Sequence, residues 1–307
     1  MRALFFSLLM LLSLHLMAQG CSDAGFCTMG AMRPDQHKSQ HLSMKINALE
    51  FTQHLSNTKF GDYILSYILD VELHLHTKTR LHFKLPYTFV FNQMPSVNGI
   101  GDISLSVTHL FLEKNDWQIA GTFGGKIPTN GNNLSHEGRP LPSYYQTSLS
   151  TYDIVLGGAI NYKSWLFAVG YQQPLNRTKN EFLKPAFEGS EYAEEAQNYA
   201  NSRQLLRSPD IMMRLEKNFR IGRFSTHIGL LPIYRLKNDE FMNAQNISTV
   251  ITESDGLTLN ALLGVDYRFS TKSAFKVLFG QKLITRERNP DGLGRENVLN
   301  MGYEIRF

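Results

Sequence analysis

Residues 63–91 read YILSYILDVELHLHTKTRLHFKLPYTFVF. Tyr63, Leu65, Tyr67, Leu69, Val71, Leu73 and Leu75 alternate with Ser66, Asp70, Glu72, His74 and His76. After a turn expected at 78–80 the alternation resumes, with Leu81, Phe83, Leu85, Tyr87, Phe89 and Phe91 opposite His82, Lys84, Pro86 and Thr88. A period of two puts one set of side chains on each face of a strand. One face here is apolar from end to end and the other carries charge. A soluble sandwich would need a second sheet over every such face, whereas lipid covers all of them at once.

The same pattern extends in both directions. It is weak over 45–53, where a bulge is expected between Ala48 and Phe51, and strong over 103–111, 117–127, 152–162, 165–171, 211–219, 224–234, 257–269 and 275–279. The chain ends on LNMGYEIRF at 299–307, an alternating strand that stops on a bare aromatic. These segments make about twelve strands of roughly ten residues, the length a tilted strand needs to cross a bilayer. Tight connections at 78–80, 114–116, 163–164, 220–223 and 270–273 are interleaved with long ones at 128–150, 176–208, 236–256 and 286–296. Short turns on one rim and long loops on the other predict an all-β fold, a transmembrane antiparallel up-and-down β-barrel with both termini periplasmic. Tyr63, Phe91, Trp117, Trp165, Tyr234, Tyr267 and Phe269 fall at strand ends, where interfacial girdles belong. The last strand is expected to pair with the first, with Tyr303, Ile305 and Phe307 against outer-membrane lipid and serving as the signal for the barrel assembly machinery.

Composition agrees. The 307 residues are 42% hydrophobic and 11% aromatic, but no apolar run after Met17 approaches the ~18 residues of a spanning helix. A formal charge of +4 without any Lys/Arg run excludes nucleic acid as a partner. Arg2 and the apolar stretch from Ala3 to Met17 make residues 1–18 a signal peptide with cleavage expected after Ala18, hence an extracytoplasmic compartment, and with the barrel pattern the expected location is the outer membrane of a Gram-negative bacterium. Residues 19–43 form a periplasmic leader and 44–307 the barrel. The leader holds Cys21 and Cys27, expected to close a local disulfide. Lipidation of Cys21 after Gly20, or a metal role with His37 and His41, are the alternatives.

The densest polar row is Asp70, Glu72, His74 and His76 beside His82 and Lys84. With the turn at 78–80, His76 faces His82 and His74 faces Lys84. His74, His76 and His82 are then candidate metal ligands, against the plainer reading of a polar lumen filling itself with opposite charges. Further inward positions spread the same mixture around the wall: Lys126, Asp153, Arg214, Glu216, Arg235, Asp266, Arg268, Lys276, Lys282, Glu304 and Arg306. The lumen should therefore be narrow and laced by salt bridges, with solute or ion contacts among these groups and no cofactor. The longest loop, 176–208, includes a stretch at 191–206 with helical composition, readable as a lid or as a surface excursion. Neither G-x-S-x-G nor H-E-x-x-H occurs, and His109, expected to face lipid, has no identifiable serine beside it. Catalysis is not expected.

With the strands placed, Gly99-Ile100-Gly101-Asp102 entering one strand and Lys126-Ile127-Pro128-Thr129-Asn130-Gly131 leaving its partner can be read together. This pairing resembles the phenol-degradation meta-pathway family of outer-membrane proteins and, more distantly, the long-chain fatty-acid transporter group. The motif covers about a tenth of the chain. The resemblance implies a barrel channel that passes small, often hydrophobic molecules. Physically the motif, which also includes Thr129 and Gly131, is expected to shape loops: Gly99 and Gly101 through positive φ, Asp102 by bonding backbone amides, and Pro128 by ending the partner strand without needing an N–H. A metal-binding or sensor barrel using Cys21, Cys27 and the lumenal histidines is the alternative, and an outer-membrane lipid hydrolase a further one.

Overall fold

A computed structural model describes residues 45–131 and 133–307. The signal peptide, the Cys21 and Cys27 pair, His37 and His41 lie outside the described residues. Twelve strands form the wall: β1 (Lys45–Asn57), β2 (Tyr63–His76), β3 (Thr79–Phe91), β4 (Ile103–Lys114), β5 (Trp117–Ile127), β6 (Asp153–Tyr162), β7 (Trp165–Pro174), β8 (Asp210–Ile221), β9 (Phe224–Arg235), β10 (Gly256–Arg268), β11 (Ser273–Ile284) and β12 (Asn297–Arg306). Each pairs antiparallel with its neighbour in sequence. β12 also pairs with β1, from Ala48 opposite Arg306 to Asn57 opposite Asn297, which closes the sheet as its alternation predicts. A short strand, Val97–Ile100, adds to the upper part of β3, and the ribbons Ser135–His136/Arg139–Pro140 and Asp239–Met242/Ser248–Ile251 stand on the long loops. Among the described residues no helix is long and apolar enough to cross a membrane.

The two rims differ as expected. Hairpins at 77–78, 115–116, 163–164, 222–223 and 269–272 make one rim, and Asn115, Lys163 and Gly222 take the positive φ that two-residue turns demand. The short connection 58–62 and the loops 92–102, 128–152, 175–209, 236–255 and 285–296 make the other. Three local expectations need correction. The first hairpin turns on Thr77 and Lys78, not on 78–80, so Glu72 lies opposite His82, Asp70 opposite Lys84 and His74 opposite Arg80. A register is fixed by the turn, and a two-residue connection with a bulge between His74 and His76 displaces the pairing by four positions relative to a turn at 78–80. The irregularity in β1 lies between Ile46 and Ala48, just before the expected segment. The stretch 191–206 makes only one helical turn, Ala193–Ala196, because its apolar residues are used for packing on other loops.

Parity governs both faces of the wall. Phe51, Leu69, Leu105, Phe123, Leu156, Phe167, Leu215, Leu230, Leu263 and Ile305 point outward and are exposed, making a continuous apolar belt of the kind a transmembrane barrel turns to lipid. Aromatics sit near its edges: Trp117 stacks on Tyr162 with centroids 4.4 Å apart, and Tyr63 on Phe91 at 5.8 Å. His109 faces outward near the short-turn rim and bonds Thr79 at 2.9 Å. Phe123, 62% exposed near the middle of β5, and Ile221, 79% exposed at a hairpin, test the belt directly. In lipid vesicles Phe123→Arg should lower unfolding stability by about 2–4 kcal/mol and Ile221→Arg by about 0–1 kcal/mol. Equal, near-zero effects in denaturant titrations would show that the belt does not sit in hydrocarbon.

Candidate functional site

The interior is two-sided. On the strands from β11 through β12 to β4 the inward groups are charged and paired across the wall. Lys84 lies 3.1 Å from Asp70, and Lys276 bridges Glu50 at 2.9 Å and Glu304 at 2.6 Å, with Arg306 also on Glu304. Glu72 gathers His82 at 3.7 Å, His74 at 3.9 Å and Arg80 at 3.9 Å, and also takes a bond from Asn47. His76 is not part of this group. It is exposed at the hairpin and bonds Thr77 at 3.0 Å, so the expected trio of His74, His76 and His82 is not assembled. Among the described residues no cluster of three or more His, Cys, Asp or Glu side chains is placed to hold a metal ion.

The opposite wall departs from the uniform charge mixture read from the sequence. Ala120, Val155, Ala159, Leu166, Ala168, Met212, Leu231 and Leu262 point inward from β5 to β10 and pack into one buried cluster. The pair Arg214–Glu216, bonded at 2.6 Å, carries charge in the middle of that face. Inward glycines give lateral room to bulky neighbours. A Cβ on Gly264 would stand 1.9 Å from the His227 ring, and one on Gly302 would stand 2.9 Å from Glu50. Asp266 is buried with the same parity, opposite Lys276, and Arg268 follows it at the rim.

Toward the long-loop rim the lumen is closed by a plug that sequence periodicity does not reveal. Its centre is the short turn Ser143–Tyr145. Tyr145 Oη donates to Asp62 Oδ1 at 2.5 Å and Tyr199 Oη donates to the same oxygen at 2.7 Å, while Thr58 Oγ1 donates to Asp62 Oδ2 at 2.7 Å. Burial first, and the Asp62 carboxylate second, push both phenols well above the ordinary tyrosine range, so they stay protonated donors. Phe60, Tyr144 and Tyr199 meet edge-on or tilted at 5.0–5.6 Å, and Phe182, Phe187 and Leu141 complete the cluster. The adjacent aromatic pair in PSYYQ, inside a polar loop, is the one signal of this plug in the sequence.

The motif Gly99–Asp102 with Lys126–Gly131 anchors the loop that carries the plug. Neither Gly99 nor Gly101 has positive φ, contrary to expectation. They are needed for close approach: a Cβ on Gly101 would meet Pro86 at 2.9 Å and the Thr147 carbonyl at 3.0 Å. Thr129 Oγ1 donates to the Gly101 carbonyl at 2.9 Å, and Asp102 accepts from the Leu149 amide at 3.1 Å, as a loop-shaping role requires. Pro128 follows the last residue of β5, and Gly131 is exposed with open space around it. Burial pushes the Asp102 carboxyl up, against the opposing pull of Ser148, Lys126 and Leu149.

Two cavities flank the turn Ser143–Tyr145. Beneath it, inside the barrel, a cavity of about 120 Å³ is lined by Lys84, Lys126, Asp102, Ser66 and Thr88 together with Ile64, Ile68, Pro86 and Leu149. Above it, at the long-loop rim, a pocket of about 440 Å³ has Phe60, Tyr144, Phe241 and Ile251 in its wall and Lys59, Lys184 and Arg288 among its polar groups. Gly292 lets the last long loop press on the turn, since a Cβ there would lie 2.5 Å from Ser143 and Tyr144 backbone atoms.

Beside the plug, Arg235 at the end of β9 is buried among three carboxylates: Asp210 at 2.8 Å, Asp239 at 2.6 Å and Asp291 at 2.7 Å. Arg207 pairs in the same region with Asp153, which Gln172 and Thr151 also bond. Burial opposes the charge of Asp291, but Arg235, Arg286 and Arg207 outweigh it and hold this carboxyl below the usual range. A carboxyl depressed on folding adds stability that is complete above its unfolded value of about 4 and is lost as pH falls through the folded one. Burial instead raises the Asp239 carboxyl, a shift that can only add stability as pH falls, so acidifying from pH 7 to 5 should cost this cluster nothing. Arg235→Met should cost about 3–5 kcal/mol at neutral pH by leaving buried carboxylates without their main counter-charge. It should also make the gain on acidification larger than in the parent protein between pH 7 and 5, as those carboxyls take protons; thermal unfolding at the two pH values reads this, and a further loss on acidification would remove Arg235 from that role.

No protein-family model matches the sequence, and no curated protein matches it. Solved structures do. An outer-membrane channel from Pseudomonas putida F1 superposes with a TM-score of 0.60 at 14% identity, covering 89% of this chain and 99% of that one. The NanC porin gives 0.49 at 8% identity over 84% of this chain and 100% of its own, and the CymD monoaromatic hydrocarbon channel 0.42 at 9% over 96% and 95%. The last two overlap too loosely to bear on this chain. At such identity the first likeness speaks for the fold alone: the chain has the architecture of an outer-membrane β-barrel.

Proposed function

We propose that the protein is a gated outer-membrane channel for small, apolar molecules, with its long-loop rim extracellular and its short-turn rim periplasmic. The observation that carries this is the turn Ser143–Tyr145, which separates a rim pocket from a lumenal cavity within one closed wall. A solute captured above the turn needs only a displacement of the aromatic plug to reach the cavity below. The apolar inner face of β5 to β10 then offers an unbonded solute a surface that a uniformly charged lumen would deny it. The resemblance of the Gly99–Asp102 and Lys126–Gly131 segments to the phenol-degradation meta-pathway family supports the same class of solute. The similar barrel from Pseudomonas putida F1 is itself a channel. On this reading the outward Tyr303, Ile305 and Phe307 are the assembly signal, and deleting Phe307, whose amide bonds the Asn47 carbonyl at 3.1 Å, should reduce the amount of folded barrel in the membrane.

The plug sets the resting state. Hydrogen bonds to a charged group contribute roughly 1.5–3 kcal/mol each, and Asp62 takes two from the plug tyrosines. Tyr145→Phe with Tyr199→Phe should raise the open population and so speed uptake into liposomes by about tenfold or more. Flux of a panel of fatty acids, aromatics and sugars is the measurement. Faster entry of the apolar members than of sugars is expected; equal leakage of all would indicate a plain pore, and absence of flux in both forms would reject the channel.

A further inference from the structure

The rim pocket above the plug has a charge pattern that a purely apolar solute does not explain. Lys59, Lys184 and Arg288 lie in its wall against the acids Glu253 and Glu287. Neither ammonium group forms an ion pair among the described residues. Lys59 Nζ donates to the Glu287 carbonyl at 3.0 Å and Lys184 Nζ to the Gln197 carbonyl at 2.8 Å, both backbone oxygens. Arg288 Nε stands 4.0 Å from Glu253, and both side chains are more than half exposed, so this pair leaves the guanidinium largely free to bond elsewhere. Lys184 is half-buried, and burial followed by the nearby Arg288 charge lowers its proton affinity. A half-buried cation beside another cation is unfavourable in the absence of an anion between them.

The remainder of the pocket is mixed, with Asn198, Asn201 and Asn289 on one part of its wall and an apolar and aromatic part beside them. Phe60, Tyr144, Phe241 and Ile251 form a wall continuous with the plug, and the volume of about 440 Å³ lies within the roughly 300–1,000 Å³ typical of small-molecule sites. From this geometry we infer that the rim pocket is a recognition site for aromatic carboxylates, the carboxylate lying between Lys184 and Arg288 and the ring against Phe60, Tyr144 and Phe241. The inference rests on the channel reading, narrows its solutes from apolar molecules at large to ones with an apolar ring and one anionic group, and makes the plug tyrosine Tyr144 part of the binding surface. A ligand ring pressed on Tyr144 touches the turn that has to move.

Equilibrium dialysis of the full-length, detergent-folded protein against labelled benzoate tests the site independently of transport. Saturable binding is expected, with acetate and benzyl alcohol far weaker competitors and benzylamine none. Lys184→Gln and Arg288→Gln should each weaken benzoate binding by about tenfold, since each removes a charge-assisted bond. Both lie in loops outside the wall, and heat-modifiable gel mobility confirms the folded barrel in each variant. Benzoate binding unchanged in the double variant, binding of benzylamine as tight as benzoate, or equal displacement by inorganic phosphate would each overturn the assignment. Liposome flux separates the two proposals: benzoate that binds at the pocket but never crosses leaves the site standing and removes the channel. Benzoate flux untouched by the double variant keeps the channel and removes the site.

Discussion

Everything in this structure depends on the pairing of β1 with β12. A strand in hydrocarbon cannot leave backbone N–H and C=O groups unpaired, because each would cost several kcal/mol. The pairing from Ala48–Arg306 to Asn57–Asn297 satisfies the last two edges at once. Closure also fixes parity, since a strand in a closed wall has one face for lipid and one for the lumen. The alternation of apolar and charged residues from 63 to 91 has meaning only in that context, and the inward charges are tolerable because they find one another across neighbouring strands.

Parity is what the sequence discloses most fully. The outward row of Leu65, Leu69 and Leu73 and the inward row of Asp70, Glu72 and His74 follow from spacing alone, and with them the strand count and the contrast between rims. Register is different. The stretch HTKTR at 76–80 holds several polar residues able to turn, and nothing in the strands distinguishes a turn at 77–78 from one at 78–80; yet the choice moves His82 from His76 to Glu72. The cost of that ambiguity falls on the site rather than on the fold.

Loop packing lies further beyond reach. Asp62, Tyr145 and Tyr199 span 137 residues of the chain and meet on one carboxylate oxygen. No period connects them, because a plug is made by segments with no regular spacing of their own. Composition misleads here as well: the Ala and Glu content of 191–206 suits a helix, but Ala196 and Tyr199 are held by contacts with Tyr145, Phe182 and Phe187, and one helical turn is all that those contacts permit. The apolar inner wall was equally hidden, since alanine and glycine at inward positions such as Ala120, Ala159 and Ala168 signal neither lipid nor lumen.

The glycines beneath His227 and Glu50 bear on how a barrel of this kind can change its bore. The number of strands fixes the diameter of the backbone cylinder, and altering it needs a whole hairpin. At Gly264 and Gly302 the wall is instead thinned by one side chain, and the neighbouring imidazole or carboxylate lies sideways into the space. A single methyl group at either position would drive that neighbour toward the axis and narrow the passage without disturbing one backbone hydrogen bond. Lumen width is thus adjustable by point mutation, independently of the assembly that lipid enforces.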